Sequence, residues 1–204
     1  MLAECGLSPQ LASRREPISD PPTPFIAPTP FIAPAPFIVT AELPPDILAW
    51  ADSLRRQHYP AERNKLAAHV TLFHSFAPSL RDELRGVLAQ AAAEFAAPAA
   101  KIGGTMDLGG GTALAISSVG MGGIRERIAE HFHGTLTAQD QHEPRLHITI
   151  QNKVAPQLAR ALQRELAASL GPRAFTFRGL ALQLYRTTHW ETLGHWPFRG
   201  KSHC

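Results

Sequence analysis

The chain has 204 residues, of which 44% are hydrophobic and 18% are charged, and its formal net charge at pH 7 is +3. That length is enough for one domain with a buried core, and so small a net charge neither indicates nor excludes a nucleic-acid partner. Cys5 and Cys204 stand at opposite ends of the sequence, which excludes a disulfide framework and a cysteine-based zinc site. Because no apolar run of about 18 residues and no secretory leader pattern occurs, we expect a soluble, cytoplasmic protein without a membrane partner.

The first 36 residues contain nine of the 18 prolines. Within them the tripeptide Pro-Phe-Ile occurs three times at a six-residue period, starting at Pro24, Pro30 and Pro36. Only the third copy continues without proline, so only that copy can enter a sheet. We predict a disordered proline-rich tail over residues 1–35 and a single two-lobed domain over 36–204. A proline-rich ligand for a partner domain is the alternative for the tail.

The rest of the chain alternates strand-like and helix-like segments. Gly109-Gly110-Gly111 lies between two strand-like runs and predicts a hairpin turn, because the Gly-Lys-Ser/Thr of a phosphate loop does not follow. Ser79 and Asp82 predict a capping box at the start of the second helix. In chain order the predicted elements are a strand over 37–43, a helix between Pro45 and Pro60, a strand over 69–74, a helix from Ser79 to Phe95, strands over 101–106 and 112–118, a helix carrying Ile124, Ile128, Phe132 and Leu136, a strand over 146–151, a helix over 156–170 and an extended region over 174–185.

One segment of the sequence repeats after 78 residues. Residues 69–84 read HVTLFHSFAPSLRDEL and residues 147–162 read HITIQNKVAPQLARAL, with six identical positions. The repeated unit is a strand followed by a helix with proline near its first turn, which predicts two similar lobes. Core packing explains the repeated leucines, Leu80 and Leu84 in one unit and Leu158 and Leu162 in the other. The repeated His-x-Thr needs a different explanation.

Side chains alternate between the two faces of a strand. His69 and Thr71 therefore share the face opposite to Val70 and Leu72, and His147 and Thr149 do the same in the second copy. If these polar faces oppose one another, two imidazoles and two hydroxyls converge on one cleft. One histidine can then accept a proton from the attacking group, the other can donate one to the leaving oxygen, and the threonine hydroxyls can hydrogen-bond phosphoryl oxygens. This apparatus suits phosphodiester chemistry at a ribose 2′-hydroxyl.

Two other interpretations of the histidines stay open. A single His-x-Thr in a strand is ordinarily a partly exposed sheet residue without a catalytic role. A metal site on His69 and His147 would need further ligands such as His74, Asp107 or His142, and no established ligand spacing is present. We expect neither a metal nor a cofactor.

The paired motifs His69-Val70-Thr71-Leu72 and His147-Ile148-Thr149-Ile150 resemble the two signatures of the 2H phosphoesterase superfamily, in particular its 2′-5′ RNA ligase and RNA 2′,3′-cyclic phosphodiesterase branch. The resemblance extends from about Pro36 to Phe198. It implies an α+β fold of two lobes with antiparallel sheets around a central cleft, with His69 and His147 as general acid and base and Thr71 and Thr149 as phosphate ligands. It also implies a metal-independent phosphodiesterase that acts on RNA 2′,3′-cyclic phosphate ends and has a possible reverse ligase activity.

Charge is distributed unevenly along the sequence. Residues 145–204 carry nine Lys+Arg against Glu165 and Glu191, a balance of +7, while the preceding segments are acidic. This distribution predicts a basic second lobe and a polyanionic partner. Together with the resemblance, it leads us to expect an RNA or nucleotide with a cyclic phosphate as that partner. We also expect a monomeric protein. Arg145 and Tyr185 are the predicted substrate-binding residues, and Trp190 and Trp196 are further candidates for stacking on a base. An RNA- or nucleotide-binding regulatory module without turnover is the alternative function.

Overall fold

The computed structural model describes residues 35–186 and 189–201. The predicted proline-rich tail lies outside these residues except for its last position, and so do both cysteines. The chain divides into two units between residues 33 and 34, and everything described below belongs to the second unit.

The described residues form strands and helices in alternation. The strands are β1 (Phe37–Glu42), β2 (Val70–Phe76), β3 (Ala99–Asp107), β4 (Thr112–Ser117), β5 (His147–Gln151), β6 (Arg173–Thr176), β7 (Gly179–Arg186) and β8 (His189–Pro197). The helices are α1 (Pro45–His58), α2 (Arg81–Glu94), α3 (Val119–His131) and α4 (Pro156–Ser169). The predicted α+β class is confirmed.

Two four-stranded antiparallel sheets organise the domain. The first has the order β2-β1-β7-β8 and the second β5-β4-β3-β6. Strand β2, which directly follows His69, and strand β5, which begins with His147, each form an edge of their sheet. Each lies beside the strand that precedes it in sequence, β1 and β4 respectively. Strands β2 and β5 contact each other where the sheets meet, and α1 packs against β5 of the opposite sheet. The expected pair of similar lobes is therefore present, and the two motif strands join them.

The lobes are not contiguous halves of the sequence. Strand β1 pairs with β7 along its whole length, with Val39 opposite Leu182, and β8 pairs with β7. Residues 145–204 thus contribute β5 and β6 to one sheet, on which α4 packs, and β7 and β8 to the other. The expectation of a basic second lobe is wrong. Strand β1 pairs with β7 from the C-terminal segment, so the positive charges of that segment are distributed over both sheets.

The two strand-helix units have nearly the same backbone. Ala77 and Ala155, which precede the repeated prolines, have φ/ψ of −62/143° and −61/140°. The first unit then inserts a 3₁₀ turn, Pro78–Leu80, before α2 begins. Leu80 is therefore the N-cap and no side-chain cap forms, so the predicted capping box between Ser79 and Asp82 is wrong.

Core packing selects only some of the repeated leucines. Leu84 and Leu162 are buried, at 0% and 4% exposure, whereas Leu158 is 59% exposed. The buried stripe of α4 contains Ala159, Leu162 and Leu166. Leu158 lies at the margin of that stripe in the first helical turn, so the expectation that it belongs to the core is wrong.

Turns end two of the predicted elements. Gly109 has φ of 78°, and its N–H donates to Asp107 Oδ1 at 2.8 Å in the β3–β4 turn, so the hairpin is confirmed. Helix α3 ends at His131 and Gly134 follows with φ of 86°, which leaves the predicted helical residue Leu136 in a turn. The sequence does not predict strand β8, because its apolar residues do not alternate regularly. It is an edge strand that forms by pairing with β7. No helix in the described part of the chain is long and apolar enough to cross a membrane.

The contrast between Leu162 and Leu158 gives a stability prediction. We expect Leu162→Ala to lower the free energy of unfolding by about 2–5 kcal/mol, because it leaves a cavity in the core. Leu158→Ala should change it by less than about 0.5 kcal/mol, since the side chain is already largely in water. Urea denaturation of both variants measures the difference, and equal losses would contradict the assigned packing.

Candidate active site

The four residues of the paired motifs occupy equivalent places in the two sheets. His69 directly precedes β2 and His147 is the first residue of β5. Val70, Leu72, Ile148 and Ile150 are all fully buried, at 0% exposure. His69, Thr71, His147 and Thr149 are partly buried. The predicted alternation, with apolar residues in the core and His and Thr on the opposite face, is present in both copies.

Both histidines are held by the same hydrogen bond. His69 Nδ1 lies 2.8 Å from the carbonyl oxygen of Ala67, and His147 Nδ1 lies 2.6 Å from that of Arg145. A carbonyl can only accept, so in each ring Nδ1 carries the hydrogen and Nε2 is the nitrogen that exchanges protons. Among the described residues neither Nε2 has a hydrogen-bond partner, which leaves both atoms available to a ligand.

The surroundings of His69 suppress its protonated form. Its pKa is lowered from 6.5 to about 4, chiefly because burial penalises the charged ring. The hydrogen bond to Ala67 acts in the opposite direction, while the positive charges of Arg55 and His147 lower the pKa further. His69 is therefore neutral at pH 7. The two imidazoles stand at the starts of β2 and β5, and these strands contact each other.

Trp190 supplies much of the cover over His69. The two rings lie 4.4 Å apart, measured between centroids, at an angle of 50°. Both rings line a pocket of about 370 Å³ together with residues of β1, β7 and β8 and of the segment before His69. The polar groups of that lining include Thr40, Gln183 and Thr192. The pocket offers an aromatic surface and hydrogen-bonding groups directly beside one of the histidines.

Helix α1 fixes the segment that leads to His69. Asp52 Oδ1 accepts a hydrogen bond from the backbone N–H of Ala68 at 2.6 Å. Arg55, which is 3% exposed, donates from Nη2 to Asn64 Oδ1 and to the carbonyl of Leu66, at 2.8 and 3.0 Å. Its Nη1 donates to the carbonyl of Thr149 in β5, at 2.6 Å. Through Asp52 and Arg55 the helix thus contacts the segment before His69 and the strand that carries His147.

The threonines of the motifs leave their hydroxyls available. Thr71 lies opposite Thr40 in the β1–β2 pair, and Thr149 lies opposite Ala113 in the β4–β5 pair. Within the part of the chain that the structure describes, neither hydroxyl makes a hydrogen bond. A partly buried hydroxyl without a protein partner can donate to an oxygen of a bound anion.

The structure places Arg145 and Tyr185 less centrally. The carbonyl of Arg145 holds His147, and its exposed side chain lines a larger cavity, of about 1280 Å³, beside α3. Tyr185 is 45% exposed on β7 and lies opposite Trp190 in the β7–β8 pair. It is not among the described residues that line the pocket beside His69, whereas Trp190 is. Trp196 lies instead over Arg85, whose guanidinium carbon is 5.8 Å from the ring.

Residues considered as extra metal ligands have other partners. His74 Nδ1 lies 2.9 Å from Oδ1 of the buried Asp140, which also accepts hydrogen bonds from the backbone of His74 and Ser75. Asp107 accepts from Gly109 and from Gln163. No cluster of three or more His, Cys, Asp or Glu side chains suited to a metal ion occurs among the described residues.

Sequence reasoning missed Asp52 and Arg55. A signal for Arg55 was present, because Ile47, Ala51 and Arg55 follow one another at four-residue spacing along α1 and all three are buried. A charged residue in an apolar stripe needs a partner in the fold. No pattern in the sequence, however, identifies the carbonyl of Thr149 as that partner.

Comparisons with known proteins agree with the fold. A family model described as the 2′-5′ RNA ligase superfamily matches residues 43–189. TT0787 of Thermus thermophilus has a similar structure, with a TM-score of 0.58 at 14% identity over 82% of this chain and 100% of that one. E. coli LigT complexed with NADP+ has a TM-score of 0.54 at 13% identity, over 81% and 98% of the two chains. A structure described only as a phosphoesterase has a TM-score of 0.54 at 14% identity, over the same shares. No curated protein sequence matches the chain.

The burial of His69 gives a pH prediction. We expect its imidazole to titrate near pH 4 in the native protein, and we expect Trp190→Ala to raise this pKa by one unit or more, because the substitution admits water to the ring. The proton signals of the imidazole, followed by NMR from pH 3 to 8, measure both values. Trp196→Leu, on the same strand, is the control and should leave the titration unchanged. A native pKa near 6.5 would contradict the assigned burial.

Proposed function

The chain belongs to the 2′-5′ RNA ligase superfamily of 2H phosphoesterases, and from that premise we propose that it opens 2′,3′-cyclic phosphates at RNA ends, leaving a 2′-phosphate. The observation that carries this proposal is the pair of histidines, each tethered through Nδ1 to the carbonyl two residues upstream and each with Nε2 available. The family is one of phosphoesterases, so a phosphoesterase activity follows from membership. The cyclic substrate and the roles of individual residues are the proposal.

The different surroundings of the two histidines support a division of roles. His69, with its pKa lowered to about 4, is neutral at pH 7 and suits the general base. Its Nε2 accepts a proton as a water oxygen attacks phosphorus, and the bond from phosphorus to the ribose O3′ breaks. His147 donates a proton from Nε2 to the departing O3′. Release of the product leaves His69 protonated and His147 neutral, and exchange with solvent restores both.

The threonines and the pocket beside His69 complete the proposed site. Thr71 and Thr149 donate hydrogen bonds to the non-bridging phosphoryl oxygens, where negative charge grows in the transition state. The pocket of about 370 Å³, with Trp190 in its lining, accommodates the terminal nucleoside. E. coli LigT has been crystallised with nucleotides, namely 3′-AMP and NADP+.

Substitution of the histidines tests the proposal. An oligonucleotide ending in a 2′,3′-cyclic phosphate should be converted to the 2′-phosphate by the purified protein in the presence of EDTA. His69→Ala and His147→Ala should each lower kcat by about 10²–10⁴, because each removes one proton transfer. His131→Ala is the control: His131 contacts Glu83 on the surface, 2.9 Å away, and its loss should leave kcat unchanged. Full activity in both variants would refute the mechanism, and binding without product would identify a nucleotide-binding module instead.

Removal of the threonine hydroxyls tests the phosphate contacts. Thr71→Val and Thr149→Val keep the shape of the side chain and should each lower kcat/KM by about 10- to 100-fold, the effect of one hydrogen bond to a charged group. Thr176→Val, at an exposed position of β6, serves as the control. Rates of the two variants equal to those of the control would exclude the hydroxyls from the site.

A further inference from the structure

The buried guanidinium of Arg55 lies between the two motifs. Arg55 belongs to α1, which follows β1 of the first sheet in sequence and packs against β5 of the second. It is 3% exposed, in a stripe with Ile47 and Ala51. A charged group in such surroundings is costly unless polar partners surround it. The identity of those partners indicates what the residue does.

One arm of the guanidinium holds the approach to the first motif. Nη2 donates to Asn64 Oδ1 and to the carbonyl of Leu66, in the segment that leads to His69. Asp52, one helical turn earlier in α1, accepts from the N–H of Ala68. The contacts with Leu66 and Ala68 flank Ala67, whose carbonyl orients the His69 ring. Arg55 and Asp52 therefore act on His69 through the backbone that carries its acceptor.

The other arm holds the second motif. Nη1 donates to the carbonyl of Thr149 at 2.6 Å, across 94 positions of sequence. Thr149 is two residues beyond His147 in β5, so this hydrogen bond acts on the strand that carries the second histidine. The same planar group thus bonds to the segment before His69 in one lobe and to the strand of His147 in the other.

We propose that Arg55 is a positioning residue that sets the separation and orientation of the two His-x-Thr motifs; this inference rests on the proposed function of those motifs. A guanidinium presents its donors in a rigid plane, so three acceptors bound to one group have a fixed mutual geometry. Lysine keeps the charge but presents a single ammonium on a flexible stem and cannot reproduce the fork. Near-attack geometry tolerates little error, since a displacement of about 1 Å costs about 10²-fold in rate.

The remaining contacts of Arg55 favour positioning over simple stabilisation. Its Nε is buried and has no hydrogen-bond partner among the described residues, and it lies 4.0 Å from Asp52 Oδ1. Its Cζ lies 4.5 Å from the centroid of the Tyr59 ring, which covers one face of the group. The donors with partners are those that bond to the segment before His69 and to the strand of His147. Its positive charge also favours the neutral form of His69, the form that the proposed base requires.

The second buried arginine of the described chain supplies a matched control. Arg125 is 6% exposed, its Cζ lies 4.6 Å from the centroid of the Phe73 ring, and its Nη2 donates to the carbonyl of Asp140. Its Nε is also buried without a hydrogen-bond partner. Arg125 therefore resembles Arg55 in burial and stacking but has no hydrogen bond to either motif. Arg56, exposed on the same helix, controls for changes at the surface of α1.

Steady-state kinetics of lysine variants test the proposal. We expect Arg55→Lys to lower kcat by about 30-fold or more, because the catalytic groups are displaced. KM should change by less than about threefold, because the part of the nucleoside pocket formed by β1, β7 and β8 has no hydrogen bond to Arg55. Arg125→Lys should lower the thermal midpoint without changing kcat, and Arg56→Lys should change neither. Asn64→Ala, which removes one acceptor, should give a smaller loss of kcat and serves if the Arg55 variant does not fold. An unchanged kcat in a folded Arg55→Lys protein would overturn the inference.

NMR separates this result from the proposed function itself. Whether or not the cyclic phosphate is a substrate, Arg55→Lys should shift the imidazole signals of both His69 and His147. Arg125→Lys should shift neither ring. If wild-type protein does not hydrolyse the oligonucleotide but both rings respond to Arg55→Lys, the proposed function fails and the positioning role stands. Rings that do not respond would refute the positioning role whatever the activity.

Discussion

The contact between the edge strands β2 and β5 is the constraint on which the site depends. Each sheet alone presents one histidine and one threonine at its margin, and neither pair is sufficient for acid–base catalysis. Because the two edges meet, the two His-x-Thr motifs stand on adjoining strands. Arg55 spans this junction, with hydrogen bonds to the segment before β2 and to the backbone of β5.

The duplicated units have nearly the same backbone but different surroundings. The same Nδ1 tether orients both imidazoles, so the duplication supplies two equivalent proton carriers. The difference comes from elements outside the repeat: Trp190 of β8 covers His69, and Arg55 of α1 places a positive charge near it. These different surroundings support the proposed division between a base and an acid. The asymmetry therefore arises from the strands and helices that pack on the repeat.

The sequence-based predictions are correct where interactions between neighbouring residues decide the structure and wrong where a distant partner decides it. Strands and helices with strong periodicity, such as β5 and α4, were predicted to within a residue, because their side chains alternate or recur by local geometry. Errors arose where a distant partner decided the outcome. Strand β8 exists through its pairing with β7, and Leu158 is exposed because the face of α4 that packs on the sheet contains Ala159, Leu162 and Leu166 instead. The basic C-terminal segment is divided between two sheets for the same reason.

The amino-acid sequence by itself determined the repeat, the four motif residues and the face that each one takes, since alternation along a strand is a local property. It also indicated the α+β class. Only the tertiary structure decided that the two motif strands are neighbours and that Trp190 rather than Tyr185 lines the pocket beside His69. It also decided that an arginine of α1 bonds to the segment before His69 and to the strand of His147. These features join residues far apart in the chain, such as Arg55 and Thr149, which are 94 positions apart, and His69 and Trp190, which are 121 positions apart. Their partners are selected by packing between sheets, which leaves no periodic signal in the sequence.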